Sequence, residues 1–239
     1  MIRCITFDLD DTLWAVNPVI QQANETLFTW LDQHAPEFTR CYQLRDLVEL
    51  RRTVLNKLPH IAHSVSLIRY HQLHHGLIRA GYKSADAELL AERAFEVFLH
   101  ARQQVVFFEH AREVLLQLKE QGYRLGALSN GNADIHRVGL GDVMDFQFSA
   151  DQVGEMKPHP LMFQQMLQHT GLKPEEVIHV GDNPSHDIEG AHGAGLFSIW
   201  VNFSKEGLCA VASEEVGCLS ELPMAVQRIT EKAANRVTL

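Results

Sequence analysis

The sequence of 239 residues has no apolar run long enough to cross a membrane, and it does not open on a basic segment followed by an apolar core. It has only four cysteines, and they are scattered at Cys4, Cys41, Cys209 and Cys218 without a Cys-x-x-Cys pair. Reduced thiols in a cytoplasmic protein are the simplest interpretation of this pattern. We therefore expect a cytoplasmic location and no membrane partner.

Positive charge is scarce, since 21 Lys and Arg residues stand against 30 Asp and Glu residues and give a formal net charge of −9. This balance argues against a broad nucleic-acid-binding face. It also means that an anionic substrate needs positive charge concentrated at its binding site. The apolar content of 46% is ordinary for a soluble globular chain with a substantial core.

The pattern of the chain changes near residue 104. Between residues 14 and 104, apolar residues recur at helical spacing, and no run is typical of a buried strand. Beyond that point, short β-branched runs alternate with amphipathic segments, which predicts a mainly parallel sheet covered by helices. We therefore predict an α/β fold in which residues 1–13 and 105–239 form a Rossmann-like parallel sheet core. Residues 14–104 are predicted to form an α-helical bundle inserted after the first strand.

The first predicted strand ends abruptly in carboxylates. The run from Ile2 to Phe7 is rich in β-branched and aromatic residues, and Asp8, Asp10 and Asp11 follow it. Because burying an unpaired charge is very costly, we expect Asp8 and Asp10 to emerge at the carboxyl end of the strand and to need a cation there. Ligands bind at that end of open α/β sheets. The two carboxylates could serve a metal ion, act as a nucleophile and an acid, or cap the next helix.

Three further polar clusters follow later strands of the predicted sheet. They are Ser129-Asn130-Gly131 after the second strand, Lys157 after the third, and Gly181 through Asp187 after the fourth. Because parallel strands end at a common edge, we expect these clusters to meet. Asp8 and Asp182, with Asp187 as a further candidate, form a hard oxygen site suited to Mg²⁺.

The same edge is predicted to hold a phosphoryl group. A helix is predicted to begin at Pro158, so the charge of Lys157 adds to a helix dipole that already favours an anion. The Ser129 hydroxyl and the backbone N–H groups of Asn130 and Gly131 could hydrogen-bond phosphoryl oxygens. This arrangement would supply the positive potential that the whole chain lacks.

The four motifs together resemble the haloacid dehalogenase superfamily, on its phosphatase side. They are Asp8-Leu9-Asp10-Asp11-Thr12, Ser129, Lys157, and Gly181-Asp182 through Asp187. The resemblance implies that Asp8 is a nucleophile that forms an aspartyl-phosphate, while Asp10 protonates the leaving oxygen and then activates water. It also implies Mg²⁺ as cofactor, bound by the Asp8 carboxylate, the Asp10 backbone carbonyl and Asp182, with Asp187 in support. Ser129 and Lys157 would hold the phosphoryl group.

Residues 14–104 resemble the α-helical cap of this superfamily. Trp14 lies where the chain leaves the core, and it either lines the substrate entrance or packs in the interior. His63 and Arg69 lie in or beside a loop between cap helices, where they either contact the leaving group of the substrate or form a solvated surface. The candidate substrate-binding residues are Trp14, His63, Arg69, Ser129, Asn130, Gly131 and Lys157.

The sequence therefore predicts a Mg²⁺-dependent phosphatase that hydrolyses a small phosphorylated metabolite, as a monomer or a homodimer. It looks most like bacterial flavin mononucleotide phosphatases, while nucleotides and sugar phosphates remain alternative substrates. A phosphosugar mutase shares the same core and is the alternative in another enzyme class. A 2-haloacid dehalogenase is disfavoured by Asp10, because halide needs no proton donor to leave. A non-catalytic binding module is disfavoured by the intact nucleophile, acid, lysine and metal-binding aspartate.

Overall fold

The computed structural model describes residues 1–205 and 207–237. The chain divides into two compact units, one of Met1–Ala15 with Val106–Leu239 and the other of Val16–Val105. These boundaries lie within two residues of the predicted ones. We call the first the core unit and the second the helical unit, and each is described by itself.

The core unit contains a six-stranded sheet in which every neighbouring pair of strands is parallel. The strands are β1 (Cys4–Phe7), β2 (Arg124–Ser129), β3 (Phe146–Ser149), β4 (Val177–Gly181), β5 (Phe197–Val201) and β6 (Glu214–Val216), in the spatial order β3-β2-β1-β4-β5-β6. The predicted α/β fold with a parallel sheet is therefore confirmed. The central strand β1 pairs with β2 on one side and β4 on the other, with Phe7 opposite both Ala127 and Val180. The carboxyl ends of these three strands therefore lie side by side.

The helical unit contains five α-helices and no strand. They are α1 (Val16–His34), α2 (Pro36–Cys41), α3 (Leu47–Lys57), α4 (Val65–Arg79) and α5 (Ser84–Ala101). Apolar side chains from all five helices form one buried cluster, in which Leu27, Phe38 and Leu73 are fully buried. The helix α4 begins where Ser64 Oγ accepts a hydrogen bond from the Leu67 N–H at 3.0 Å, as an N-cap serine does.

Five α-helices accompany the sheet among the described residues of the core unit. They are α6 (Ala111–Glu120), α7 (Ala150–Val153), α8 (Leu161–Thr170), α9 (Gly190–Gly193) and α10 (Leu222–Val237). The prediction that a helix begins at Pro158 is wrong, because α8 begins three residues later. Pro160 disfavours helical geometry at the residue before it, so the segment before Leu161 forms turns instead. Lys157 therefore lies in a turn and not at a helix N-terminus.

No helix in the described ranges has both the length and the apolar character needed to cross a bilayer. All four cysteines are free thiols. Cys4 is completely buried in β1, and burial raises the pKa of its thiol to about 12. A thiol with such a pKa stays protonated at neutral pH, so Cys4 is a packing residue.

Candidate active site

The parallel register brings the predicted site residues together at the carboxyl edge of the sheet. Asp8 follows β1, Asp182 follows β4, and the Asp8 N–H donates to the Val180 carbonyl at 2.8 Å. Carboxylate oxygens of Asp8, Asp182 and Asp187 all lie within 4.8 Å of one another. Lys157 Nζ lies 2.8 Å from Asp8 Oδ1, although 149 residues separate the two in the chain. The meeting of the first, third and fourth motifs is thus a feature of the structure.

Lys157 is the buried cation of this site, with 1% of its surface exposed. Its Nζ donates to Asp8 Oδ1, to Asp187 Oδ1 at 2.7 Å, and to the Leu128 carbonyl. Burial favours the neutral amine, but the two carboxylates outweigh burial and hold the pKa of Lys157 above its ordinary value. The lysine therefore stays positively charged.

Asn130 fixes the backbone of Lys157. Its amide nitrogen donates to the Lys157 carbonyl at 2.9 Å, and its amide oxygen accepts from the Lys157 N–H at 2.7 Å. The sequence prediction placed Asn130 among the phosphoryl-binding residues through its backbone N–H. The structure adds a positioning role for its side chain, which joins the end of β2 to the turn that carries the lysine.

Asp187 is held from several sides. Its Oδ1 accepts from Lys157, its Oδ2 accepts from the Asn183 N–H at 3.0 Å, and His179 Nε2 lies 3.4 Å from Oδ1. Burial alone would raise the pKa of Asp187, but Lys157 and then His179 hold it below its ordinary value. A β-carbon at Gly181 would lie 2.3 Å from Asp187 Cγ, so only glycine fits there. Both oxygens of Asp187 are thus engaged, which suits a supporting role.

Asp182 is oriented by Thr12 and Trp200. The Thr12 hydroxyl donates to Asp182 Oδ1 at 2.9 Å and accepts from the Asp182 N–H at 3.1 Å. The indole N–H of Trp200 donates to the Asp182 carbonyl at 2.8 Å. These bonds connect the loop after β1 to the loop after β4.

Negative charge exceeds positive charge at this edge. Burial, together with the nearby carboxylates of Asp187 and Asp11, raises the pKa of Asp182 to about 6. Burial also raises the pKa of Asp8 well above its ordinary value, even though Lys157 opposes the shift. One lysine therefore does not balance three carboxylates. The hard oxygen donors and the uncompensated charge fit a divalent cation such as Mg²⁺, for which Asp8 and Asp182 are the best-placed carboxylates.

Asp10 lies in the loop after β1, where it is partly exposed. Its Oδ1 accepts a hydrogen bond from the Trp14 indole N–H at 2.8 Å. Trp14 is completely buried, and its ring meets the Phe107 ring edge to face at 5.6 Å between centroids. The prediction that Trp14 lines the substrate entrance is therefore not supported by its position, since it has no exposed surface. Trp14 packs in the interior and holds the Asp10 carboxylate.

Ser129 ends β2 with 1% of its surface exposed. Its Oγ accepts from the Gly131 N–H at 2.9 Å, in the local turn that serine side chains commonly make with the backbone two residues on. The Gly131 N–H is thus engaged within the turn, and its contact with a phosphoryl oxygen stays a prediction. The Ser129 hydroxyl still has its own hydrogen to donate.

His63 and Arg69 belong to the helical unit. His63 lies in the turn before α4, and Arg69 lies within α4, where both are partly exposed. The Arg69 guanidinium carbon lies 4.3 Å from the centre of the Phe98 ring. Their proposed contact with substrate stays a prediction.

Sequence reasoning missed the link between His179 and the site. His179 lies within β4 and is completely buried. The His179 ring bridges two other buried residues. Its Nδ1 lies 2.9 Å from Thr6 Oγ1, and its Nε2 lies 3.4 Å from Asp187 Oδ1. Two polar residues on apolar central strands, Thr6 and His179, are a signal that could have been used, because buried polar groups need partners. Their strand register puts them opposite each other.

The fold and the site define an α/β protein with an acid-rich, lysine-containing centre at the carboxyl edge of a parallel sheet. A family model described as haloacid dehalogenase-like hydrolase matches residues 2–195. The chain belongs to the haloacid dehalogenase-like hydrolase family.

Three proteins illustrate its relatives. The chain is 31% identical over 200 residues to 5-amino-6-(5-phospho-D-ribitylamino)uracil phosphatase YigB of Escherichia coli K12, covering 84% of this chain and 83% of YigB. It is 29% identical over 235 residues to glyceraldehyde 3-phosphate phosphatase of Pyrococcus furiosus, covering 95% and 92%. The crystal structure of a 2-haloacid dehalogenase from Pseudomonas syringae pv. tomato DC3000 is similar with a TM-score of 0.89 and 39% identity, covering 95% of this chain and 99% of that one. The names of these relatives include both phosphatases and a dehalogenase.

Proposed function

We propose that the protein is a Mg²⁺-dependent phosphatase that hydrolyses a small phosphate monoester through an aspartyl-phosphate on Asp8. The observation that carries the proposal is the group of three carboxylates within 4.8 Å, two of which, Asp8 and Asp187, are paired with buried Lys157. A carboxylate nucleophile, a fixed cation and a hard oxygen site are what phosphoryl transfer needs, because its catalysis is mostly positioning and charge neutralisation.

The residues divide the reaction between two steps. In the first, an Asp8 oxygen attacks phosphorus, the bond to the leaving oxygen breaks, and Asp10 gives its proton to that oxygen. In the second, Asp10 takes a proton from water, the water oxygen attacks phosphorus, and the bond to Asp8 breaks to release inorganic phosphate. Lys157 and the Ser129 hydroxyl hold phosphoryl oxygens throughout.

Magnesium would be held by the Asp8 and Asp182 carboxylates and the Asp10 backbone carbonyl, while Asp187 keeps Lys157 in place. When bound, Mg²⁺ neutralises charge on the phosphoryl oxygens and keeps Asp8 ionised. The Trp14 indole N–H, 2.8 Å from Asp10 Oδ1, orients the acid so that its other oxygen carries the proton. Two neighbouring carboxyl groups thereby take different protonation states.

The substrate is proposed to be a small phosphorylated metabolite, with flavin mononucleotide, nucleotides and sugar phosphates as candidates. The name of YigB describes a ribityl phosphate joined to a uracil ring, and flavin mononucleotide is also a ribityl phosphate joined to a ring system. A cytoplasmic location agrees with four free thiols. Nucleic acid is not proposed as a partner, and a monomer or a homodimer remains the expected assembly.

A dehalogenase is the second candidate, because the Pseudomonas syringae structure with that name is similar over nearly the whole chain. The two reactions place different demands on the site. Halide leaves without a proton, so a dehalogenase uses neither an acid at Asp10 nor a divalent cation on Asp182. Asp10 and Asp182 are both present in this chain, and they favour the phosphatase.

A release assay separates the candidates. The purified protein is incubated with a panel of phosphate monoesters and, separately, with 2-haloacids, each with Mg²⁺ and with EDTA. We expect phosphate release with Mg²⁺, its loss with EDTA and its recovery when Mg²⁺ is restored, with no halide release. Halide release that EDTA leaves unchanged would overturn the proposal. An isomerised phosphate ester without free phosphate would assign the protein to the mutases.

The role of Asp10 predicts that its importance depends on the leaving group. In Asp10→Asn, we expect kcat/KM for an alkyl phosphate to fall by about 10²–10⁴-fold, the usual contribution of a general acid. The fall for nitrophenyl phosphate should be much smaller, because nitrophenolate leaves without a proton. Similar losses for both esters would argue against an acid role.

A further inference from the structure

A row of polar side chains crosses the interior of the sheet. Thr6 of β1 lies opposite His179 of β4, and His179 lies opposite Ser198 of β5. Paired residues of neighbouring parallel strands project from the same face of the sheet, so these three side chains are neighbours. None of the three has more than 1% of its surface exposed. Polar groups buried this deeply are costly unless they are hydrogen-bonded, and the reaction steps described above use none of them.

The partners of the His179 ring determine which of its nitrogens carries the hydrogen. Nε2 lies 3.4 Å from Asp187 Oδ1, and an ionised carboxylate only accepts hydrogen bonds. An Nε2 without a hydrogen would place its lone pair against that oxygen, so Nε2 carries the hydrogen. Nδ1 lies 2.9 Å from Thr6 Oγ1 and accepts the Thr6 hydrogen, because a second ring hydrogen would bury another positive charge beside Lys157. The Ile178 carbonyl, 3.4 Å from the same hydroxyl, is the more distant acceptor.

Asp187 connects His179 to Lys157. The Asp187 Oδ1 that accepts from His179 Nε2 also accepts from Lys157 Nζ at 2.7 Å. Lys157 Nζ in turn donates to Asp8 Oδ1 at 2.8 Å. The Phe163 ring meets the His179 ring edge to face, with 5.3 Å between the ring centroids, and this contact restricts the orientation of the imidazole. All of these residues belong to the core unit.

We propose that His179 is a positioning residue for phosphoryl transfer and that the Thr6 hydroxyl fixes its tautomer. The His179 N–H holds Asp187 Oδ1, and that oxygen keeps Lys157 Nζ beside the nucleophile. Because catalysis of phosphoryl transfer is mostly positioning and charge neutralisation, a small displacement of the lysine lowers the rate. This role rests on the phosphatase function proposed above, whereas the tautomer of His179 does not.

The tautomer is tested by NMR spectroscopy, which does not depend on turnover. The full chain is labelled with nitrogen-15 in its histidines, and comparison with His179→Gln identifies the His179 signals. A long-range proton–nitrogen correlation spectrum at neutral pH then shows which ring nitrogen carries the hydrogen. We expect the hydrogen on Nε2 and a bare Nδ1. A hydrogen on Nδ1, alone or together with one on Nε2, would overturn the proposal.

Two replacements of similar shape test the positioning role. His179→Gln keeps an N–H donor that can reach Asp187, whereas His179→Met has a similar length and no donor. We expect His179→Met to lower kcat for nitrophenyl phosphate by about tenfold with KM nearly unchanged, since the position of Lys157 matters most in the transition state. His179→Gln should recover most of this loss. Methionine is the easier side chain to bury, so instability cannot produce this order. Equal kcat values in the two variants would assign His179 a packing role and overturn the proposal.

Ser198 supplies the control for Thr6. Both residues carry a buried hydroxyl on the face of the sheet that holds His179, but Ser198 Oγ has no hydrogen-bond partner among the described residues. Thr6→Val is therefore expected to shift the Nδ1 resonance of His179 and to lower kcat, whereas Ser198→Ala should change neither. Equal effects of the two replacements would overturn the role of Thr6.

Turnover by the wild type distinguishes a failure of this proposal from a failure of the phosphatase function. Phosphate release by the wild type, with equal kcat values in His179→Met and His179→Gln, would contradict the positioning role alone. A wild type that releases no phosphate from any ester would contradict the phosphatase function and the positioning role together, while the NMR spectrum still decides the tautomer. We expect phosphate release by the wild type, a hydrogen on Nε2 and a higher kcat in His179→Gln than in His179→Met.

Discussion

Replacing Asp8 with asparagine is expected to lower kcat for phosphate release by about four to six orders of magnitude, as removal of a catalytic nucleophile does in other enzymes. An amide oxygen is a far weaker nucleophile than a carboxylate, and it cannot form the proposed aspartyl-phosphate. Asp8 Oδ1 lies 2.8 Å from Lys157 Nζ at the end of β1, with 8% of the residue exposed. Asparagine has nearly the same shape, so circular dichroism and the unfolding midpoint should show a folded protein.

Asp11 provides the control for this change. It lies in the same loop and is also an aspartate, but it has φ of 61°, a conformation that asparagine adopts readily. Asp11→Asn is therefore expected to keep most of the activity in the same assay. Near-native turnover by Asp8→Asn would exclude covalent catalysis through this residue.

Replacing Lys157 with methionine is expected to abolish phosphate release and to lower the free energy of unfolding by about 3–5 kcal/mol, the usual cost of breaking a buried ion pair. The change leaves the Asp8 and Asp187 carboxylates, which accept hydrogen bonds from Lys157 Nζ at 2.8 and 2.7 Å, without their buried cation. Urea unfolding followed by circular dichroism gives the free energy directly.

The loss of unfolding free energy in Lys157→Met should depend on pH. Lys157 lowers the pKa of Asp8 against the effect of burial and holds the pKa of Asp187 below its ordinary value, so its removal raises the pKa of both carboxyl groups. The deficit in stability should therefore be largest above these raised pKa values, where both buried carboxylates are charged, and shrink as the pH falls through them towards the ordinary pKa of aspartate. A deficit that grows on acidification would contradict this account of the site.

Lys119 gives the matched comparison for stability. It forms an ion pair with Asp145 at 3.2 Å, but its side chain is 38% exposed and that of Asp145 is 36% exposed. Lys119→Met is expected to cost at most about 1 kcal/mol, because solvent screens such pairs. Equal losses in Lys119→Met and Lys157→Met would show that burial of the Lys157 pairs has no special effect.

Strands of the sheet could be predicted closely where both faces are buried. The short runs at 124–129, 177–181 and 197–201 predict strands with the bounds that β2, β4 and β5 have in the structure, because buried parallel strands require uninterrupted apolar runs. The edge strand β6 was missed, since Glu214 and Glu215 carry charge and only Val216 of its three residues is buried. An edge strand has one paired side and tolerates such residues.

The candidate site residues could be placed from sequence because each one lies in a segment that comes after a strand of predicted direction. The hydrogen-bond partners of these side chains could not be predicted from sequence, because the partners depend on local turns. Gly131 was expected to bind phosphate, but its N–H turns back to Ser129. Trp14 was a candidate for the substrate entrance, but its indole is buried against the loop that carries Asp10. Sequence periodicity does not distinguish these outcomes, since both depend on loop geometry.

The most direct test of the central claim is to trap the phosphoryl group on Asp8. Asp10→Asn removes the base that activates water, and nitrophenyl phosphate makes the first step independent of the acid, so the intermediate should accumulate. Acid quenching, digestion and mass spectrometry of this variant with Mg²⁺ present should find the mass of one phosphoryl group on the peptide that contains Asp8. The same variant with Asp8→Asn added should show none. Release of nitrophenol without any phosphoryl group on that peptide, or a phosphoryl group on another residue, would contradict the account.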